Sequence, residues 1–413
     1  MKETKFKNTE IGIIPEDWAV NTLAELCSLI TDGSHESPKD TEYGYYMPSV
    51  KDMRMNEFNF ANCKKISEKD YLRLINNGCK PQKGDVLIAK DGSILKYSFT
   101  LKEDLPIVIL SSIAIIRPRP TEIESEYLSL YFRQPKFIEQ VLTDFKTGTG
   151  VPRIILRNFE KIQISYPYDL TGQYRIASAL TSIDNLISSL GKLIEKKKNI
   201  KQGAMRQLLT GKTRLKGFNE PWVYRKISEV AMTSSGGTPS RSIISYYYGD
   251  INWFTTTELK DNYLYNSVEH ITREALSNSS AKMFSANTIL MAMYGATIGK
   301  LGILKEPSAT NQACCAIKCN DIDEIFLFYI LLYNRKSIIE KGCGAGQPNI
   351  SQTIVNELSF LVPPCKKEQQ AIATILTKMD DEITALEAKK TKYEAIKQGM
   401  MQQLLTGKIR LIS

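Results

Sequence analysis

Histidine is nearly missing from this 413-residue sequence, occurring only as His35 and His270, and none of the cysteines stands in a CxxC pair. The eight cysteines are scattered at 27, 63, 79, 314, 315, 319, 343 and 365. The clustered nitrogen and sulfur ligands of a zinc site are therefore absent, and Cys314 and Cys315 read as small buried hydrophobes. No stretch approaches the roughly 20 apolar residues of a membrane-spanning helix, and the opening MKETKFKNTE lacks the apolar core of a signal peptide. A cytoplasmic protein is expected.

Catalytic signatures are missing too. A nuclease needs clustered carboxylates with a nearby lysine; Asp85 with Lys90, or Glu195 with Lys196, match that pattern only if spacing is ignored. A methyltransferase needs a glycine-rich turn after a strand and an Asn-Pro-Pro-aromatic loop, and neither occurs. Gly148 and Gly150 form a GTG run, but it leads into VPRIIL and not into a phosphate-cradling helix.

What is present describes a folded chain of more than one domain. Hydrophobic residues at 42% and charged residues at 24% are ordinary for a globular protein, and 413 residues exceed one hydrophobic core. The net charge of +9 is unevenly placed. Residues 192–216 hold nine Lys or Arg against one Glu, and residues 388–412 hold six against one, leaving the rest of the chain net negative. The KKK run at 196–198 reads either as a solvated helix face or as a contact for DNA phosphates or an acidic partner.

An internal repeat sets the architecture. IKQGAMRQLLTGKTRL at 200–215 recurs as IKQGMMQQLLTGKIRL at 396–411, with 13 of 16 positions identical at an offset of 196. The same offset pairs QYRIASALTSIDNLI from Gln173 with QQAIATILTKMDDEI from Gln369, VPRIILRNFEKIQISYP with QPNISQTIVNELSFLVP, and GTG at 148 with GAG at 344. Farther upstream the offset drifts to 203 or 204, matching Asp91 and Gly92 with Tyr294 and Gly295, and Trp18 with Trp222. The chain is a duplication whose front halves have diverged and whose back halves have not.

In the back halves Ile176, Leu180, Ile183, Ile187, Leu190 and Ile194, and then Ile372, Leu376, Met379, Ile383 and Leu386, recur in alternating steps of four and three. That spacing predicts coiled-coil helices. A helix from about Gln173 to Leu209 would be roughly 55 Å long at 1.5 Å per residue, too long to bury its stripe against one small domain. The two copies are expected to pack on each other as a rod between the front halves, with a break possible near Gly203 and Gly399. Both should end at Thr-Gly-Lys, with Gly211 and Gly407 as C-terminal caps. The front halves read as mixed α/β. DVLIAK, SIAIIRP and TILMAM are strand-like, and EYLSLYFRQPKFIEQVL and EIFLFYILLYNRKSIIEK read as amphipathic helices.

These features together resemble the specificity subunit of type I restriction-modification systems over nearly the whole chain. The resemblance is carried by the two IKQGxMxQLLTGKxRL copies and by the lead-ins TEIGIIPEDW and FNEPW. GGTPSR at 236–241, INWF at 251–254, GDVLIAKDGS at 84–93 and NTILMAMYGATIGK at 287–300 complete it. It implies α/β target-recognition domains at 1–168 and 218–364, a central helical region at 169–217 and a C-terminal one at 365–413. The two regions would form antiparallel coiled-coil helices in a pseudo-two-fold arrangement. Each domain would read one half of a bipartite target on double-stranded DNA, while the helices set the spacer and dock two methylation subunits. S-adenosylmethionine would sit on those subunits, and ATP and Mg on restriction (motor) subunits, in a bacterial or archaeal cytoplasm. This chain would have no catalytic residue, metal or cofactor of its own.

Carried over position by position, the turn at Lys90, Asp91, Gly92 and Ser93 and its twin at Tyr294, Gly295, Ala296 and Thr297 are expected near DNA, followed by Lys96 and Lys300. Glycine there would allow close approach to a phosphate. Ser34 and His35, and Thr238, Ser240 and Arg241, are further candidates in polar loops. Arg153 and Arg157, with Asn349 opposite Arg153, would position the DNA backbone. The first domain lacks the GGTP run and His35 has no counterpart in the second, so the halves should read different sequences. Three alternatives stand beside this reading: an enzyme of the same system, a coiled-coil scaffold, and a silent paralogue without DNA specificity.

Overall fold

A computed structural model describes residues 5–147, 152–342 and 349–411. Contacts gather the chain into two units, residues 1–191 with 389–413 and residues 192–388. Each unit thus holds one front half, part of the helix that follows it, and part of the helix from the other copy.

In the first unit the strands Cys27–Asp32, Ile113–Pro118, Val86–Ala89 and Ser98–Thr100 lie side by side in that order, all antiparallel. Every residue of Val86–Ala89 is buried, because the sheet is covered on both faces. The two-residue period of a strand sends Val86 and Ile88 into one core and Leu87 and Ala89 into another. The first of these cores also takes Tyr127, Leu128, Leu130 and Phe159 from short helices. A second pairing, Trp18–Thr22 with Gln163–Pro167, ties the start of the front half to its end.

The second unit repeats the plan with additions. Ala231–Ser235, Cys314–Cys319, Ile289–Ala292, Leu301–Leu304 and Asn262–Leu264 form a five-stranded sheet, the last strand joined in parallel. A four-stranded sheet is built from Glu269–Ile271, Ile251–Phe254, Ser308–Thr310 and Met283–Phe284. The central strand again splits its side chains, Ile289 and Met291 to one core, Leu290 and Ala292 to the other.

The expected amphipathic helices each prove to be two. Ser125–Tyr131 and Pro135–Phe145 part where Pro135, which has no backbone N–H to donate, holds Gln134 at φ −72°, ψ 124°. Glu324–Tyr333 and Arg335–Lys341 part at Asn334, whose side chain donates 2.8 Å to the Ile330 carbonyl. The first helix of each pair is buried around most of its circumference, Tyr127 to Tyr131 and Phe326 to Leu331, so it has no polar face.

The long helices are Leu170–Leu208 and Lys366–Leu404, each of 39 residues, or about 58 Å at 1.5 Å per residue. No break occurs at Gly203 or Gly399. Each glycine costs up to about 1 kcal/mol in a helix. Burial of Met205, Leu208 and Leu209, and of Met401, Leu404 and Leu405, holds the last turns in place.

Among the expected seam residues Ile176, Leu180, Ile183, Leu190, Ile194, Ile372, Leu376 and Ile383 are buried, whereas Ile187, Met379 and Leu386 are half-buried. In the first unit Ile176 and Leu180 share a core with Met401, Leu404 and Leu405; in the second Ile372 and Leu376 share one with Met205, Leu208 and Leu209. The start of one helix meets the end of the other, so within each unit the packing is antiparallel.

Polar contacts repeat with the sequence. Lys397 pairs with Asp184 at 2.5 Å in the first unit, and Lys201 with Asp380 at 2.5 Å in the second. The buried amides of Gln173 and Gln369 each accept a backbone N–H, from Glu124 and Asp323, and each donates to a proline carbonyl, Pro167 and Pro363. Gly211 and Gly407 end the helices at φ +67° and +68°, a conformation glycine adopts without steric cost. Gly407 lies against Pro15 and Trp18, and Gly211 against Trp222, so each matched tryptophan packs on a Thr-Gly-Lys turn. Arg410 grips Asp17 through both terminal nitrogens, while Arg214 stacks over Trp222 and holds Glu368 at 2.8 and 2.9 Å.

Candidate nucleic-acid interface

One end of each central sheet gathers most of the residues singled out by sequence. In the first unit the Cys27–Asp32 and Val86–Ala89 strands end beside the start of Ile113–Pro118. Gly33 N–H donates to Ile113 O at 3.3 Å, and Lys90 N–H to Ser112 O at 3.0 Å. The chain at 152–154 closes the group: Gly92 N–H donates to Pro152 O at 2.9 Å, Ile154 N–H to Lys90 O at 3.0 Å, and Asp91 bridges to Arg153.

The second unit has the same wiring. Gly236 N–H donates to Cys314 O at 3.4 Å, Met293 N–H to Ala313 O at 2.9 Å, and Ile350 N–H to Met293 O at 2.7 Å, while Tyr294 bridges to Asn349. Gly92 and Gly295 both turn with positive φ, +69° and +81°. Arg153 and Asn349 are therefore equivalent, and so are Asp91 and Tyr294. Thr238 occupies the position of His35, a correspondence hidden in the sequence by the drifting offset.

The side chains on this shared backbone differ. In the first unit Lys90, only 7% exposed, lies 3.2 Å from Asp32 and 3.4 Å from Asp91. His35, largely exposed, has Nε2 3.3 Å from the other oxygen of Asp32. Ser34 is buried, and its hydroxyl donates to Glu36 O and accepts from Glu36 N–H. Lys90 and Ser34 thus hold the loop together and present nothing at the surface. The Gly92 N–H, donated to Pro152, is likewise occupied and does not face a phosphate.

The second unit has Met293 in place of Lys90 and Ser235 in place of Asp32. Removing one partner of a buried ion pair leaves an uncompensated charge, whereas replacing both by residues that pack is often neutral. Lys90→Met is accordingly expected to destabilise the chain by about 3 kcal/mol, and Asp32→Ser with Lys90→Met by less than about 1 kcal/mol. Urea unfolding measures both; equal losses would mean that the pair is not coupled.

The remaining candidates divide by exposure. Lys96, Arg153 and Arg157 are exposed in the first unit, and Ser93 is half-buried. In the second, Tyr294, Gly295 and Asn349 are exposed and Thr297 is half-buried. Thr238 donates to Gln312, and Ser240 shares a hydrogen bond with Ser242 at 2.8 Å. Arg241 is bound by both oxygens of Glu269 at 2.5 and 2.8 Å and lies over Tyr247 and Trp253. That contact holds the Glu269 carboxyl below its ordinary range. Lys300 pairs with Asp261 at 3.1 Å.

Sequence reasoning missed Asp32, Glu269, Gln312 and Asp261. No periodic pattern marks them, because each is recruited by a residue distant along the chain. The GTG at 148–150 and GAG at 344–346 lie outside the described residues.

The lysine-rich helix face is partly neutralised from within: Lys197 pairs with Glu382 at 2.6 Å, Lys198 with Glu387 at 2.6 Å, and Lys201 with Asp380. Asp85 is likewise committed, its carboxylate held by Arg117 at 2.7 and 2.9 Å. Burial pushes the thiols of Cys27, Cys314, Cys315 and Cys319 up to about 12, out of the range of a nucleophile at neutral pH. Among the described residues no group of three or more His, Cys, Asp or Glu is placed to hold a metal ion, and no helix is long and apolar enough to cross a membrane.

Comparison with known proteins places this arrangement. The type I restriction modification DNA specificity domain matches twice, over residues 15–201 and 219–398. The type I restriction enzyme MjaVIII specificity subunit of Methanocaldococcus jannaschii is 28% identical, over 99% of this chain and 97% of its own length. The putative MjaX specificity subunit of the same organism is 26% identical, over 99% and 98%. A type I restriction-modification S subunit from M. genitalium, solved by crystallography, shares the fold with a TM-score of 0.64 at 15% identity, over 97% of this chain and 98% of that one. With two such domains in tandem, the chain belongs to the type I restriction-modification DNA specificity family.

Proposed function

We propose that the chain is the DNA specificity subunit of a type I restriction-modification system, each domain reading one half of a split target on double-stranded DNA. The observation that carries this reading is the pair of equivalent loop clusters, alike in backbone and different in side chains. Two unlike half-sites call for one scaffold with two sets of readers.

The repeated helices set the distance between half-sites and dock two methylation subunits. Ile200 and Ile396 are 47% and 39% exposed, and a Cβ added at Gly203 or Gly399 would meet nothing within 4 Å. An exposed isoleucine with a bare glycine one turn later lets an apolar partner surface approach closely. Its presence in both copies suits one kind of partner bound twice. Catalysis belongs to the partners, with S-adenosylmethionine on the methylation subunits and ATP and Mg on the restriction subunits; the cytoplasm is where all three are available.

The test is methylome sequencing of a host carrying this chain with its methylation subunit, against a host lacking this chain alone. A split adenine-methylated motif that disappears on deletion supports the proposal. Methylation unchanged by the deletion would overturn it in favour of a scaffold or a silent copy.

A further inference from the structure

Within the two loop clusters one pair of equivalent positions combines three properties. The backbone is anchored to the equivalent turn in both, the side chains are exposed, and their chemistry differs between domains. The Arg153 backbone is paired in both directions with Thr147, at 2.9 and 3.0 Å, and bridges to Asp91. The next residue, Ile154, is fully buried and bonded to Lys90 O. Asn349 is anchored comparably, bridged to Tyr294, bonded through its N–H to Gly342 O at 3.1 Å, and followed by the fully buried Ile350.

Of the other candidates, Lys96 carries its ammonium over the Tyr97 ring, Arg157 is exposed on the helix Leu156–Glu160 beyond the loop, and the exposed Tyr294 has as its equivalent Asp91, which is held by Lys90. Four more have their ends engaged. His35 faces Asp32, Arg241 is gripped by Glu269, Thr238 by Gln312 and Lys300 by Asp261. No side-chain hydrogen bond or ion pair joins Arg153 or Asn349 to a described residue. Each is a donor-bearing side chain on an anchored backbone, which is the requirement for reading a base edge.

We propose that Arg153 and Asn349 are specificity-determining residues, Arg153 reading a guanine in the half-site of the first domain and Asn349 an adenine in that of the second. An arginine fork donates to guanine O6 and N7 together, and an asparagine amide accepts from and donates to adenine N6 and N7. The inference rests on the function proposed above, and it replaces the expectation that these residues only position the DNA backbone.

The test uses the full chain with its methylation subunit in the host, comparing the methylated motif of the wild type with those of Arg153→Lys, Arg153→Ala and Asn349→Ala. Each variant is expected to relax one position of one half-site, with the preference for guanine or adenine there falling roughly 5- to 150-fold and the other half unchanged. Arg153→Lys keeps the charge and loses the fork, so a phosphate contact would survive it. A motif unchanged at every position, whether methylation weakens uniformly or stays at the wild-type level, overturns the proposal. Soluble complex recovered at the wild-type yield separates loss of reading from loss of folding. A wild type that yields no split motif would instead count against the function itself.

Discussion

Exchange of residues 15–168 for the matching segment of a family member with another specificity is expected to replace one half of the methylated motif and leave the other half and the spacing as they were. Each mismatched base pair costs about 1–3 kcal/mol, so a half-site of three or four pairs should lose on the order of a thousandfold or more in recognition. The exchange has to run to residue 168. Stopping at 150 would separate Trp18–Thr22 from its partner strand Gln163–Pro167, and Lys90 from Ile154. The incoming segment must also fit Ile176, Leu180, Met401 and Leu404, which complete the first core from the helices. Motif sequencing of the chimaera decides the matter; a change in both halves would show that the domains do not read independently.

The second large effect lies at Asp184. Its side chain, 13% exposed, faces Lys397 at 2.5 Å, 14% exposed, and Arg133 at 3.4 Å, 5% exposed. Burial already holds the Arg133 guanidinium below its ordinary range, and the nearby Asp184 opposes that shift. Asp184→Ala would leave two cations uncompensated and is expected to destabilise the protein by about 3–5 kcal/mol. The equivalent Asp380 is 39% exposed, and beside Lys201 its second partner is the hydroxyl of Tyr329, at 2.7 Å, so that site holds one cation and not two. Asp380→Ala is therefore expected to cost about 1–2 kcal/mol, because solvent already screens the half-exposed carboxylate and a single cation loses its partner. Urea unfolding of the two variants measures the difference, and equal losses would show that Arg133 contributes nothing to the first site.

Much of the fold was readable because it rests on local or periodic signals. The 196-residue repeat shows by direct comparison of the chain with itself, and the four-three spacing of Ile176, Leu180 and Ile183 and the unbroken apolar run at Val86–Ala89 each reflect a rule that acts over one or two turns of chain. The helix breaks at Pro135 and Asn334 were not anticipated. An apolar run looks the same whether it belongs to one amphipathic helix or to a buried helix followed by a second. The glycines at 203 and 399 misled in the other direction, because helix propensity counts for less than the burial of Met205 and Leu208 beside them.

The candidate site was legible as a set of loops and not as a set of roles. Lys90 looked like a surface cation and is a buried one, because Asp32 arrives beside it only when the Cys27–Asp32 and Val86–Ala89 strands flank Ile113–Pro118. The equivalence of His35 with Thr238 was concealed by a change of offset that only the shared hydrogen bonds to the central strand resolve. By itself, then, the sequence determined the duplication, the two long helices, the strands at 86–89, 113–118 and 289–292 and the absence of a catalytic signature, all of which show in the order of residues without any knowledge of their spatial partners. Tertiary structure alone decided which polar side chains are consumed in holding the loops and which are left exposed, because that depends on partners brought together across a sheet end.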